Sequence, residues 1–149
     1  MSAVLKTPEF DIDAINWQPF GRYEGFDYRL LNVDMENRVI DLMFRFQPNR
    51  RCFYHTHHMP SSTLVIHGEQ HIWEKNPDGS ETHKVKRAGE FSVSAGAETH
   101  IEGGGPDGGI IYQNVRVNDD IVYSILNDDL TTRVDVSLEA FAEAFRNQT

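Results

Sequence analysis

The stretch YHTHHMPSSTLVIHGEQH, Tyr54–His71, carries five of the chain's seven histidines. In an extended strand successive side chains alternate between faces, so His55 and His57 look one way while Thr56 and His58 look the other. Two imidazoles on one strand face can converge on a single ion. His67 and His71 stand four apart, but HGEQH has a glycine inside and β-branched residues just before it. That reads as a turn between two strands, not as a zinc-protease helix. His67, His71 and His83 are expected at the surface or rim.

Outward from this stretch the pattern is that of short strands. Tyr28–Asp34 is followed by the turn-forming MENR, then by Val39–Phe46, where Ile40, Leu42, Phe44 and Phe46 alternate with Asp41, Met43 and Arg45. Residues 52–57, 62–68, 69–75, 81–86, 90–94, 108–117 and 121–126 continue the series, with NPDGS as a turn at 76–80. Turn residues at such short intervals predict an all-β sandwich or barrel. Only the end reads as helix, with Ser137 as N-cap and Leu138, Phe141 and Phe145 on one face. The expected division is an N-terminal arm over 1–27, a barrel over 28–130 and a helical segment over 131–149, all in one domain. GGGPDGG, 103–109, lacks a phosphate-loop lysine and is expected to form a flexible loop near the barrel mouth.

A chain of 149 residues, 39% hydrophobic with nine Phe and five Tyr, is long enough to bury a core. Its formal charge of −9 repels phosphate backbones, so nucleic acid is not an expected partner. A single cysteine, Cys52, rules out an internal disulfide and a Cys-rich zinc site. The first residues lack a signal-peptide pattern, and no apolar run approaches the ~18–20 residues of a membrane span. A cytoplasmic protein with no membrane association is the expectation.

His100 supplies a candidate ligand from a distant segment. It ends AGEFSVSAGAETH, where a strand closes at a small-residue turn and the next extended stretch begins. His55, His57 and His100 together would leave coordination positions open, as in a catalytic metal site. Glu98 and Glu102 flank His100 at two residues each side, and an extended backbone places both on its face. Glu102 is a candidate partner of a bound imidazole or a substitute ligand. Tyr112, Asn114 and Arg116 share another strand face, from which Tyr112 or Arg116 would orient an anionic substrate if that face is inside.

These residues resemble the cupin superfamily, small double-stranded β-helix (jelly-roll) barrels that hold a metal in the barrel mouth. Asn49 stands where the first motif has a glycine, followed by RRCFY and HTH, and Gly68 closes it. Asparagine is a mild replacement there because it tolerates the left-handed conformation. Gly89 and His100 keep the spacing of the second motif, while Ala95, Ala97 and Gly104 depart from it. The motif's glutamate falls on Ser61 or Ser62, so the ligand set that the resemblance implies is His55, His57 and His100 without an acidic member. Ser62 is thereby a pocket candidate.

Within the superfamily, TLVIHGEQHIWE and AGAETHIEGGG look most like single-domain cupins of the ChrR, acetylacetone-dioxygenase and dihydroxyacetophenone-dioxygenase type. The resemblance implies one divalent metal, iron(II) favoured, with zinc, nickel or manganese fitting the same donors. It implies a dioxygenase acting on a small diketone, hydroxy-ketone or related anion, and a homodimer. The alternatives are a metal- or ligand-sensing regulatory cupin, or a zinc or manganese isomerase or hydrolase. The anti-sigma relatives carry a further zinc-ligating segment, for which the arm here is expected to be too short.

Overall fold

The alternating run at Val39–Phe46 is one strand of an antiparallel sheet that curls into a jelly-roll-like barrel. The computed structural model describes residues 11–149; the first part of the arm expected over 1–27 lies outside the described residues. A 3-10 turn at Ile12–Ala14 precedes β1 (Gln18–Pro19), β2 (Phe26–Asp34) and β3 (Val39–Phe46). Then come β4 (His55–His57), β5 (Ser61–Lys75), β6 (Glu81–Arg87) and β7 (Phe91–Ser94). β8 (Glu98–Arg116), β9 (Ile121–Leu126), β10 (Thr132–Ser137) and α1 (Leu138–Asn147) complete the fold.

Neighbouring strands run in the order β1-β2-β3-β8-β4-β9-β10, and β5 pairs with β8, β6 and β7. The two long strands produce the curl. The first residues of β8 lie against β4, with His55 opposite His100, and its second half lies against β3, with Phe46 opposite Gly109. β5 follows both halves of β8, with register shifts at Val65/His67 and Gly68/Gln70 that bend it.

Two expectations are corrected here. HGEQH is not a turn, because it runs inside β5 and pairs with β8 and β6. GGGPDGG is not a loop, because all seven residues belong to β8. Its glycines are there for close approach. A Cβ on Gly109 would lie 2.1 Å from the Glu69 carbonyl oxygen, and one on Gly103 would lie 2.2 Å from that of Arg50. Asn49 adopts the left-handed conformation at φ 54°, which its side chain tolerates.

The core fills the barrel and its seam with the helix. Leu30, Ile40, Leu42, Val65, Ile111, Val115 and Val122 are all at most 1% exposed, each burial stabilising by about 1.5–3 kcal/mol. Met43 is buried as well, although it alternates with the inward set. Ser137 caps α1 by accepting from the Ala140 N–H at 3.1 Å. Leu138, Phe141 and Ala142 are buried, and Phe141 packs edge-on to Tyr123 with centroids 5.8 Å apart. The Gln148 side chain then ties the C-terminus to β2 through two 2.9 Å hydrogen bonds with the Leu30 backbone.

Candidate metal centre

Adjacent strands bring the three distant-looking histidines together. His55 and His57 point inward from β4 by parity, and the register sets His55 directly opposite His100 on β8. Two residues further along β8, the same parity turns Glu102 inward. Among the described residues these four form a buried group whose donor atoms lie within 4.8 Å of one another, each residue at most 6% exposed.

His55 Nε2 lies 3.0 Å from His57 Nε2 and 3.0 Å from Glu102 Oε2. His100 Nε2 lies 3.1 Å from His57 Nε2 and 3.6 Å from the same carboxylate oxygen. Hydrogen bonds satisfy this set only if His55 carries a second proton, since each N···N contact needs one protonated and one bare nitrogen. His55 Nδ1 faces the Phe53 carbonyl at 2.9 Å; a carbonyl only accepts, so that nitrogen carries the proton. In the neutral ring the lone pair of Nε2 then points at a carboxylate oxygen, two acceptors face to face. A cation between them resolves the conflict, and the donor types suit a divalent transition metal.

Without a cation the group keeps a proton in its place. Burial disfavours charge on His55, but its contacts with Cys52 and Glu102 outweigh this and push it up to about 10. Burial, followed by the neighbouring histidines' charge, brings His57 down to about 4 despite its contact with Glu102. Burial opposes ionisation of Glu102 too, yet hydrogen bonds from His100, His55 and His57 hold its carboxyl well below the usual range.

Further residues position the centre. Gln70 on β5 donates to Glu102 Oε1 at 2.6 Å. The Tyr123 hydroxyl donates to Gln113 Oε1 at 2.7 Å, and Gln113 Nε2 donates to Thr63 Oγ1 at 3.2 Å. Burial pushes the Tyr123 phenol far above its ordinary range, so it stays protonated. Its ring stands perpendicular to that of His57 at 4.9 Å.

Two spaces flank the group. On one side an apolar cavity of about 30 Å³ is walled by Phe26, Phe44, Phe46, Phe53 and Tyr123. On the other a polar cleft of about 200 Å³ is lined by Ser61, Thr63, Gln70, Lys86, Ser92 and Gln113 among others.

The expected site residues separate cleanly. Glu102 belongs to the donor group, which corrects the set without an acidic member. Glu98, opposite His57, is exposed at the cleft rim. Tyr112 faces away, because its hydroxyl donates to Asp41 Oδ1 at 2.6 Å on the outer surface of β3 and β8 while Ile111 and Gln113 point inward. Arg116 shares the parity of Tyr112 and is exposed. Ser62 pairs with Asn114 and Val93 on that outer face, whereas Ser61 and Thr63 line the cleft. His71 and His83 are linked to each other at 2.8 Å outside the barrel. Gln70, Gln113, Tyr123 and Lys86 were not legible as site residues. Strict strand parity from Ser61, Thr63 and Val65 would have turned Gln70 outward; the register shifts at Val65/His67 and Gly68/Gln70 bring it inward instead.

Residues 9–112 match the ChrR cupin-like domain, and the chain belongs to that family. Curated protein sequences contain no significant match. Solved structures share the fold at low identity. An acetylacetone dioxygenase from Acinetobacter johnsonii superposes with a TM-score of 0.71 at 12% identity, covering 100% of this chain and 96% of that one. A protein from Methylibium petroleiphilum described as an acetylacetone dioxygenase gives 0.68 at 15%, covering 97% and 98%. An RmlC-like cupin from Ralstonia eutropha gives 0.71 at 13%, covering 95% and 86%.

Proposed function

We propose that the chain is a mononuclear iron(II) dioxygenase acting on a small diketone, hydroxy-ketone or related anion. The observation that carries this reading is the convergence of His55, His57, His100 and Glu102 on one buried point. The names of the acetylacetone-dioxygenase neighbours support the reaction class. Four protein donors leave positions open for substrate and for dioxygen. The carboxylate offsets one unit of a divalent ion's charge, so the centre still attracts an anion. When bound, iron(II) supplies the redox chemistry and polarises the substrate. The protein's own part is positional: Gln70 holds Glu102, the Phe53 carbonyl orients His55, and the aromatic wall makes one side of the centre apolar.

The test is elemental analysis beside a His57→Ala variant, followed by oxygen uptake after anaerobic iron loading. About one equivalent of iron, lost in the variant, with uptake on a β-diketone or hydroxy-ketone, is the expected result. Metal retained by the variant would refute the ligand set. Zinc without any oxygen uptake would move the reading to non-oxidative chemistry or sensing.

A further inference from the structure

We propose that the polar cleft binds a small hydroxycarboxylate, with Lys86 taking its carboxylate and Gln70 Oε1 accepting from its hydroxyl. This selects the related anion from the substrates proposed above, in place of a diketone, and rests on that reading for the position of the reacting group.

The two spaces beside the metal group differ in kind. The aromatic cavity, at about 30 Å³, is on the scale of one water molecule. The polar cleft, at about 200 Å³, lies below the ~300–1,000 Å³ of drug-sized sites and suits a molecule of a few carbons. An organic substrate therefore reaches the centre from the polar side, past His57, His100 and Glu102.

Register decides which side chains face that cleft. Gln70 is opposite Lys86 and Ile72 is opposite Lys84 across β5 and β6, while Ser61 is opposite Ser94 and Thr63 opposite Ser92 across β5 and β7. Residues directly opposite share a face, with Cβ atoms about 5 Å apart. His71, Trp73 and His83 take the outer face instead.

Two groups in this lining are incompletely paired, one lacking a counter-ion and the other a hydrogen-bond donor. Lys84 is ion-paired with Glu74 at 2.9 Å, but no carboxylate among the described residues lies within 4.0 Å of the half-buried Lys86. Its ammonium is held by Ser92 Oγ at 2.7 Å. Glu98, exposed on the opposite rim, is the remaining acid facing the cleft. Deeper in, Gln70 is 2% exposed with its amide nitrogen committed to Glu102, so its orientation is set, and Oε1 has no partner. A buried amide oxygen without a donor is costly. An unpaired cation calls for an anion and an orphan acceptor calls for a hydroxyl. A diketone in its keto form supplies neither.

The test is calorimetric titration of cobalt(II)-loaded protein with glycerate, propionate, glycerol and acetylacetone, in the wild type and in Lys86→Met and Lys86→Arg. Glycerate is expected to bind best, to weaken roughly ten-fold or more in Lys86→Met and to recover in Lys86→Arg. Cobalt stoichiometry and its visible spectrum should stay unchanged in both variants. Glycerate binding that ignores Lys86→Met, propionate binding as tightly as glycerate, or acetylacetone binding where glycerate does not, would each overturn the proposal. Failure of cobalt to bind would sink the metal reading separately. Titrating glycerate into metal-free protein then reads the cleft alone: Lys86-dependent binding upholds this assignment and its absence overturns it.

Discussion

Gln70 and Glu102 are joined by a 2.6 Å hydrogen bond from amide to carboxylate, which leaves the carboxylate's other oxygen turned to His55 at 3.0 Å. One residue comes from the middle of β5 and the other from β8, so the bond links the sheet to the donor group. Replacing Gln70 by Leu removes the only hydrogen bond that Glu102 Oε1 makes among the described residues. Metal affinity is expected to fall about 10–100-fold, and the metal-free protein to lose roughly 1–3 kcal/mol. Competition against a chromophoric chelator measures the first and urea unfolding the second. Unchanged affinity would show that Glu102 is held by the strand alone.

Loading the site is expected to release about one proton near neutral pH. His55 is raised and Glu102 lowered, so in the metal-free protein the proton sits between them. An incoming cation displaces it, and affinity therefore falls as pH falls. Calorimetry in buffers of different ionisation enthalpy counts the protons. A count of zero would mean that His55 binds the ion from an already neutral state.

Stripping the metal should lower stability by mass action. With free metal at about 100 times its Kd, the folded state is expected to gain about 2.7 kcal/mol over the chelator-treated protein. The His57→Ala variant should show no such difference. Denaturant midpoints with and without chelator provide the comparison.

Gly109→Ala is expected to cost about 3 kcal/mol or more, or to prevent folding, because the added methyl meets backbone and not a movable side chain. Gly79→Ala serves as the control. It has open space around it and a φ of +87°, so only conformational strain of about 1 kcal/mol applies. Equal costs at the two positions would contradict the close approach of β5 and β8.

On the outer face, the bond to Asp41, with burial and the Asp41 charge behind it, pushes the Tyr112 phenol up to about 12. A raised phenol stabilises the fold fully below its unfolded value of 10.0, and that stabilisation is lost as pH climbs towards 12. Tyr112→Phe should be less stable by about 1 kcal/mol at neutral pH. The gap should close between pH 10 and 12. Oxygen-uptake activity should be unaffected, since this residue faces away from the cleft.

Strand parity is a local property, and it was enough to pair His55 with His57, to set His58 apart and to put Glu98 and Glu102 on the face of His100. The inward set Ile40, Leu42, Phe44 and Phe46 and the capped helix from Ser137 follow from the same short-range periodicity. The choice of Glu102 over Glu98 is not local. It depends on the register that puts His55 opposite His100, which carries Glu102 into the barrel and leaves Glu98 at the rim. The outward face of Tyr112 and Arg116 depends in the same way on which side of β8 meets the core.

Glycine was the most ambiguous residue to read. A run such as GGGPDGG suits a loop, and HGEQH suits a turn, because glycine relaxes the backbone in both. Here Gly103 and Gly109 are needed because the carbonyls of Arg50 and Glu69, some forty to fifty residues away in the chain, press against them. Short-range patterning records that a side chain is missing. What fills the space comes from backbone that folding brings alongside, the β3–β4 connection at Gly103 and β5 at Gly109.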